Sequence, residues 1–160
     1  MSNYLIPLMV VVPMLCAILV NAFAKFNKSI KVLTFVVAIC LPIIPLLSNY
    51  GLHFFGGYTP MLDNATGVIY HPAITYAFDM LQQIFIAAVG LITFLVAFIY
   101  LSKYKKASGQ YLFLLFMGTA SVTALMLTDD IFNMFVFFEI LALVQVGIVI
   151  ASPMDYSYEM

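Results

Sequence analysis

Five long apolar runs dominate the chain, at residues 3–23, 30–48, 78–102, 110–128 and 131–152. Short polar stretches, or segments bearing glycine and proline, separate them. About 20 mostly apolar residues at 1.5 Å rise each are enough to cross the hydrocarbon core of a bilayer. Each run therefore predicts a transmembrane helix. No fixed repeat or low-complexity tract interrupts the pattern, which reads as one membrane domain over residues 1–160. The expected fold is an all-α, polytopic transmembrane helix bundle of about five helices.

Composition makes the solvent unambiguous. Apolar residues fill 65% of the 160 positions and charged residues 8%, against about 45–50% and about 25% in soluble domains. A soluble chain this short could not hide so much apolar surface. The formal net charge of −1 leaves no basic stripe for phosphates, so nucleic acid is not expected as a partner. Cys16 and Cys40 both fall inside apolar runs and suggest neither a disulfide framework nor a metal knuckle.

Polarity of insertion follows from the cations. All six are lysines: Lys25, Lys28 and Lys31 follow the first run, and Lys103, Lys105 and Lys106 follow the third. With five spans these two short loops share a side, and the positive-inside rule makes that side cytoplasmic. The N-terminus is then outside and the C-terminus inside. The first apolar run has no basic residue before it, which predicts an uncleaved first helix rather than a signal peptide. The expected location is the cell membrane, multi-pass.

Residues 50–77 form the one long external connection. Its glycines, prolines and aromatics predict a packed cover. His53 and His71, 18 apart there, read as surface or hydrogen-bonding residues rather than metal ligands. Asn64-Ala65-Thr66 is a formal but weak glycosylation sequon. Pro13, Pro42 and Pro45 predict kinks, tolerated where neighbouring helices re-satisfy freed carbonyls.

Polar residues at membrane depth carry the candidate chemistry. In the third run Asp79, Gln82, Gln83, Ala87, Gly90, Thr93 and Ala97 recur at spacings of three or four, forming one polar and small stripe. Two readings stay open for it: helix packing with Asp79 as an N-cap, or Asp79 as part of an ion path. The fourth run, with Gly118, Thr119, Ser121 and Thr123, reads as structural. Asp129 and Asp130 occupy a very short external turn, where acids cap the next helix and favour its positive dipole end.

Glu139 stands apart. Residues 131–150 rise about 30 Å, and Glu139 is near their midpoint. Fourteen of those twenty are Leu, Ile, Phe or Val, at roughly −0.3 to −0.6 kcal/mol each, against roughly +3 for a central acid. The helix still inserts, but the acid needs protein or water around it rather than lipid. Asn133 and Gln145 lie on other faces of the same helix, so protein is expected all round it. A protonated glutamate bonded to a neighbouring helix is the structural alternative. Burial favours the neutral acid and a nearby ammonium favours the carboxylate, so a carboxylate facing a lysine can take up and release a proton. No lysine lies at that depth, so the partner is expected elsewhere.

At "LTDDIFNMFVFFEIL" the chain resembles the antiporter-like membrane subunits shared by respiratory complex I, multisubunit cation/proton antiporters and energy-converting membrane-bound hydrogenases. Its version is most similar to the D-type antiporter subunit and its hydrogenase relatives. "GGYTP" in the external loop and Asp79 opening the third run fit in order and spacing. The resemblance extends over essentially the whole chain. It implies that Glu139 is a key residue of proton translocation, paired with a lysine from a later helix. Asp79, Asp129, Asp130 and Asn133 are then candidates for an ion path or for packing. Family members have many more helices, so the chain is expected to be an N-terminal portion, with residues 156–160 leading into a sixth helix.

The function so implied is translocation of H⁺, or exchange of H⁺ for Na⁺, by a non-catalytic membrane subunit of a redox-driven complex. No cysteine cluster or histidine pair lies at membrane depth, so no cofactor or metal is expected in the chain itself. The expected partners are other membrane subunits, the lipid bilayer, H⁺ and Na⁺. A cation/proton antiporter without redox partner, and a purely structural membrane subunit, remain as alternatives.

Overall fold

The computed structural model describes residues 5–23, 27–49, 51–63, 67–104 and 108–151, with side chains described outside residues 5, 27–28, 55–63 and 67–73. The chain runs α1 (Leu5–Ala22), α2 (Asn27–Leu47), β1 (Leu52–Asp63), β2 (Gly67–Phe78), α3 (Met80–Lys103), α4 (Gly109–Leu127) and α5 (Ile131–Ala151). The helical polytopic bundle expected from the hydropathy pattern is what the chain forms. Among the described residues four helices are long and apolar enough to cross a membrane, and α1 contributes a shorter apolar helix, Ile6–Ala22. The sequon at residues 64–66 and the segment 156–160 lie outside the described residues.

The long connection holds the main departure. The expected packed cover takes the form of an antiparallel hairpin, β1 on β2, in one uniform register from Leu52↔Phe78 to Asp63↔Gly67. Gly51 makes the entry possible: its φ of +75° is a left-handed conformation open chiefly to glycine. Its N–H then donates to the Phe78 carbonyl at 2.7 Å. Glycines and prolines inside the strands weaken any alternating pattern, which is why the pairing was invisible to periodicity.

The base of the hairpin plugs one end of the bundle. Tyr76 and Phe78 are buried with Ile6, Met9 and Val10 of α1 and with Ala124 and Leu127 of α4. The Phe54 and Tyr76 rings, directly opposite in the ladder, stack at 6.1 Å between centroids. A second apolar cluster, including Ala17, Val20, Ile30, Leu112 and Phe116, fills the other end. Tyr100 stacks on Tyr111 there at 4.3 Å, and its hydroxyl accepts from the Ser108 N–H at 2.9 Å.

Helix contacts follow small residues. At Gly90 an added Cβ would fall 2.6 Å from the Pro42 nitrogen and 2.9 Å from the Leu41 oxygen, so α3 touches the backbone of α2. That carbonyl has no α-helical donor, because Pro45, four residues on, has no N–H. One turn further along α3, Thr93 and Thr119 of α4 share a hydrogen bond of 2.8 Å. Gly118 receives Val144, and Gly147 receives Leu114, where α4 meets α5. The ends of α2 and α3 are joined by Gln83, whose Nε2 donates to the Pro45 and Ser48 carbonyls at 2.9 and 3.0 Å. Orphan carbonyls at a helix C-terminus need such donors.

The two lysine-bearing connections end up side by side. Lys28 and Lys31 fall within α2, and Lys103 within α3, rather than in the loops; Lys31 Nζ donates to the Tyr104 carbonyl at 3.1 Å.

Candidate functional site

Helix α5 is the outermost element, and its sequence makes it so. It packs on α4 through a seam of Phe137, Val144 and Gly147, of which Val144 is buried. Glu139 lies off that seam. At 100° per residue it is about 140° around the helix from Val144. Its side chain is exposed, and no hydrogen bond or ion pair reaches the carboxylate among the described residues. Protein on every side, as expected from the sequence, is therefore absent from this chain's described residues: α4 backs the helix, and the hairpin base meets its first turn.

The face that carries Glu139 is nevertheless patterned. Phe132, Val136, Glu139, Leu143, Val146 and Ile150 recur at steps of three and four, the spacing of a helix-packing seam. Phe132, Leu143 and Ile150 are 74%, 73% and 78% exposed. The carboxylate sits about 12 Å from the start of a helix about 30 Å long, so it is near the middle of this apolar face. In lipid a central acid costs roughly 3 kcal/mol.

Asp129, Asp130 and Asn133 cluster at the hairpin end. Asp130 starts α5: its carbonyl accepts from the Met134 N–H at 2.9 Å, and its Oδ1 from the Phe132 N–H at 3.1 Å. Its own N–H donates to Thr128 Oγ1 at 3.3 Å. Asp129 donates its backbone N–H to the Thr75 carbonyl at 3.1 Å and is exposed. Asn133 Nδ2 donates to Tyr76 Oη and to Thr128 Oγ1, both at 3.1 Å. These bonds lash the first turn of α5 to the hairpin base, beside the Tyr76↔Thr128 bridge. Tyr76 and Thr128 were not legible as partners of Asn133, because their meeting depends on where the hairpin docks.

Asp79 is elsewhere. It is the exposed N-cap of α3, its N–H donating to Gln82 Oε1 at 3.1 Å and its carbonyl accepting from Gln83 at 3.0 Å. The rest of its stripe turns inward: Gly90, Thr93 and Ala97 are buried. The acidic side chains described thus divide into Asp79, Asp129 and Asp130 at the hairpin end of the bundle and Glu139 midway along α5. His53 is exposed on β1. Among the described residues no three His, Cys, Asp or Glu side chains gather to hold a metal.

No family model matches the chain. It is 36% identical over 157 residues to an uncharacterized protein of Methanocaldococcus jannaschii, a match covering 98% of this chain and 31% of that protein. The chain thus spans about a third of the length of the curated relative it matches. Among solved structures it is similar to a chain in the membrane-bound sulfane sulfur reductase, an archaeal respiratory membrane complex. The TM-score is 0.66, with 22% identity over 89% of this chain and 29% of that one. At that identity the likeness shows the fold: a membrane-embedded helical bundle of the kind found in part of a much longer chain.

Proposed function

We propose that the chain is an antiporter-like membrane subunit of a redox-driven complex, moving H⁺ or exchanging it for Na⁺, with Glu139 as its proton-handling group. The observation that carries this reading is the position of Glu139. It is a carboxylate midway along α5, on a face whose seam-like spacing invites another helix and whose neighbours are all apolar. A group in that position is stable only when covered, and an intramembrane acid facing another helix can hold and release a proton. Covering helices would come from a longer form of the chain or from another subunit, and one of them would bring the lysine. The fold similarity to a respiratory membrane complex supports a place among other membrane subunits. The chain would lie in the cell membrane as a multi-pass protein, with its lysine end cytoplasmic. Asp130 and Asn133 are assigned to positioning α5, and Asp79 to capping α3.

The test is Glu139→Gln in the assembled complex, reconstituted in vesicles, with proton and sodium uptake measured. The expected result is normal assembly and strongly reduced uptake. Normal uptake would remove Glu139 from the mechanism and favour a scaffolding role. Iron–sulfur subunits that co-purify distinguish a redox-driven complex from a secondary antiporter.

A further inference from the structure

At the lysine end, an open groove of about 320 Å³ runs between α2 and α3, formed by Lys31, Val32, Phe35, Val36, Phe98 and Ser102. Its walls are apolar and exposed: Val32, Val36 and Phe98 face outward. Phe35 lies 6.0 Å from Phe94 and 6.5 Å from Phe98 between ring centroids, giving the groove a stiff aromatic floor. Lys31 stands at its head. The ammonium carries three donors, and the Tyr104 carbonyl at 3.1 Å takes one without neutralising the charge. Among the described residues no carboxylate is at this end: Asp79, Asp129 and Asp130 lie at the hairpin end, and Glu139 at mid-depth. A positive head above an exposed apolar slot matches one kind of molecule in a bilayer.

We propose that this groove seats an anionic phospholipid, with its phosphate on the Lys31 ammonium and the upper part of one acyl chain along Val32, Phe35, Val36 and Phe98. The seat spans about one helical turn on each helix, Lys31 to Phe35 and Phe98 to Ser102. That turn places the ammonium at headgroup depth and the phenyl rings at acyl depth. Lysine near a helix end reaches to the interface in this way, and basic pockets between membrane helices bind acidic headgroups. The proposal is independent of the role of Glu139.

Native mass spectrometry of the full chain tests it, purified in detergent with any subunits that accompany it. Phosphatidylglycerol, phosphatidylcholine of the same chains and sn-glycerol phosphate are titrated in parallel. Expected is retention of phosphatidylglycerol over phosphatidylcholine, weakened about fivefold by Lys31→Gln, restored by Lys31→Arg and kept in Lys103→Gln. Lys103 is the control because it carries the same charge at the same end but lies outside the groove, over the Tyr104 ring at 5.4 Å. Val36→Trp, which fills the slot and keeps Lys31, should also weaken retention. The proposal is overturned if Lys31→Gln and Lys103→Gln act alike, which would mean diffuse attraction. It is equally overturned if glycerol phosphate binds as well as the lipid, if Val36→Trp changes nothing, or if phosphatidylglycerol is not preferred.

Discussion

Gly90→Ala separates backbone contact from ordinary side-chain packing. The added methyl would lie 2.6 Å from the Pro42 nitrogen, 2.7 Å from the Leu41 carbonyl carbon and 2.9 Å from its oxygen. All three obstacles are backbone atoms, so no rotamer change relieves them. Ordinary contact begins at 3.4 Å, so α2 and α3 must separate by roughly 0.5–1 Å, as tightly packed interiors transmit such strain. Overpacking of this kind costs about 1–3 kcal/mol. Three backbone clashes put this site at the upper end of that range, so after the up to about 1 kcal/mol of helix propensity that alanine returns over glycine, a net loss of about 2 kcal/mol remains. The separation also strains the Gln83 bonds to Pro45 and Ser48 two turns away. Gly147→Ala is the matched control, because its methyl would meet only Leu114 side-chain carbons at 3.0–3.6 Å, which can turn aside. Thermal denaturation in detergent, followed by loss of the monodisperse peak, should rank wild type and Gly147→Ala close together and Gly90→Ala clearly below. Equal or higher stability for Gly90→Ala would refute the close approach.

Two further predictions follow from polar bonds between helices. A Thr93→Val and Thr119→Val double-mutant cycle should return a coupling of about 0.6 kcal/mol, with a ceiling of about 1.7. The value is modest because each hydroxyl also lies 2.9 Å from its own i−4 carbonyl, Val89 or Leu115, and so keeps a partner when the other is removed. Gln83→Leu should lower stability by about 1–3 kcal/mol, since it leaves the Ser48 carbonyl without its donor and the Pro45 carbonyl with only the Ser48 N–H at 3.2 Å. Hydrogen exchange would report the loss as earlier opening of the C-terminal turn of α2, and unchanged protection there would count against the bridge.

The chain by itself determined the apolar helices and the position of Glu139 midway along the fifth. Hydropathy and rise per residue are local quantities, so they survive without knowledge of neighbours. Lysine placement likewise marked which connections share an end, and Lys31 beside Tyr104 is where that pairing is realised. Tertiary structure decided what local pattern could not. Hairpin pairing is a long-range choice, and glycines and prolines in β1 and β2 hid its alternation. The stripe on α3 named a packing face but not its partners, which proved to be the proline-freed backbone of α2 and Thr119 of α4. The same holds for Glu139: spacing gave its height along α5, while only the docking of α5 on α4 through Val144 and Gly147 turned the carboxylate outward, onto an exposed apolar face.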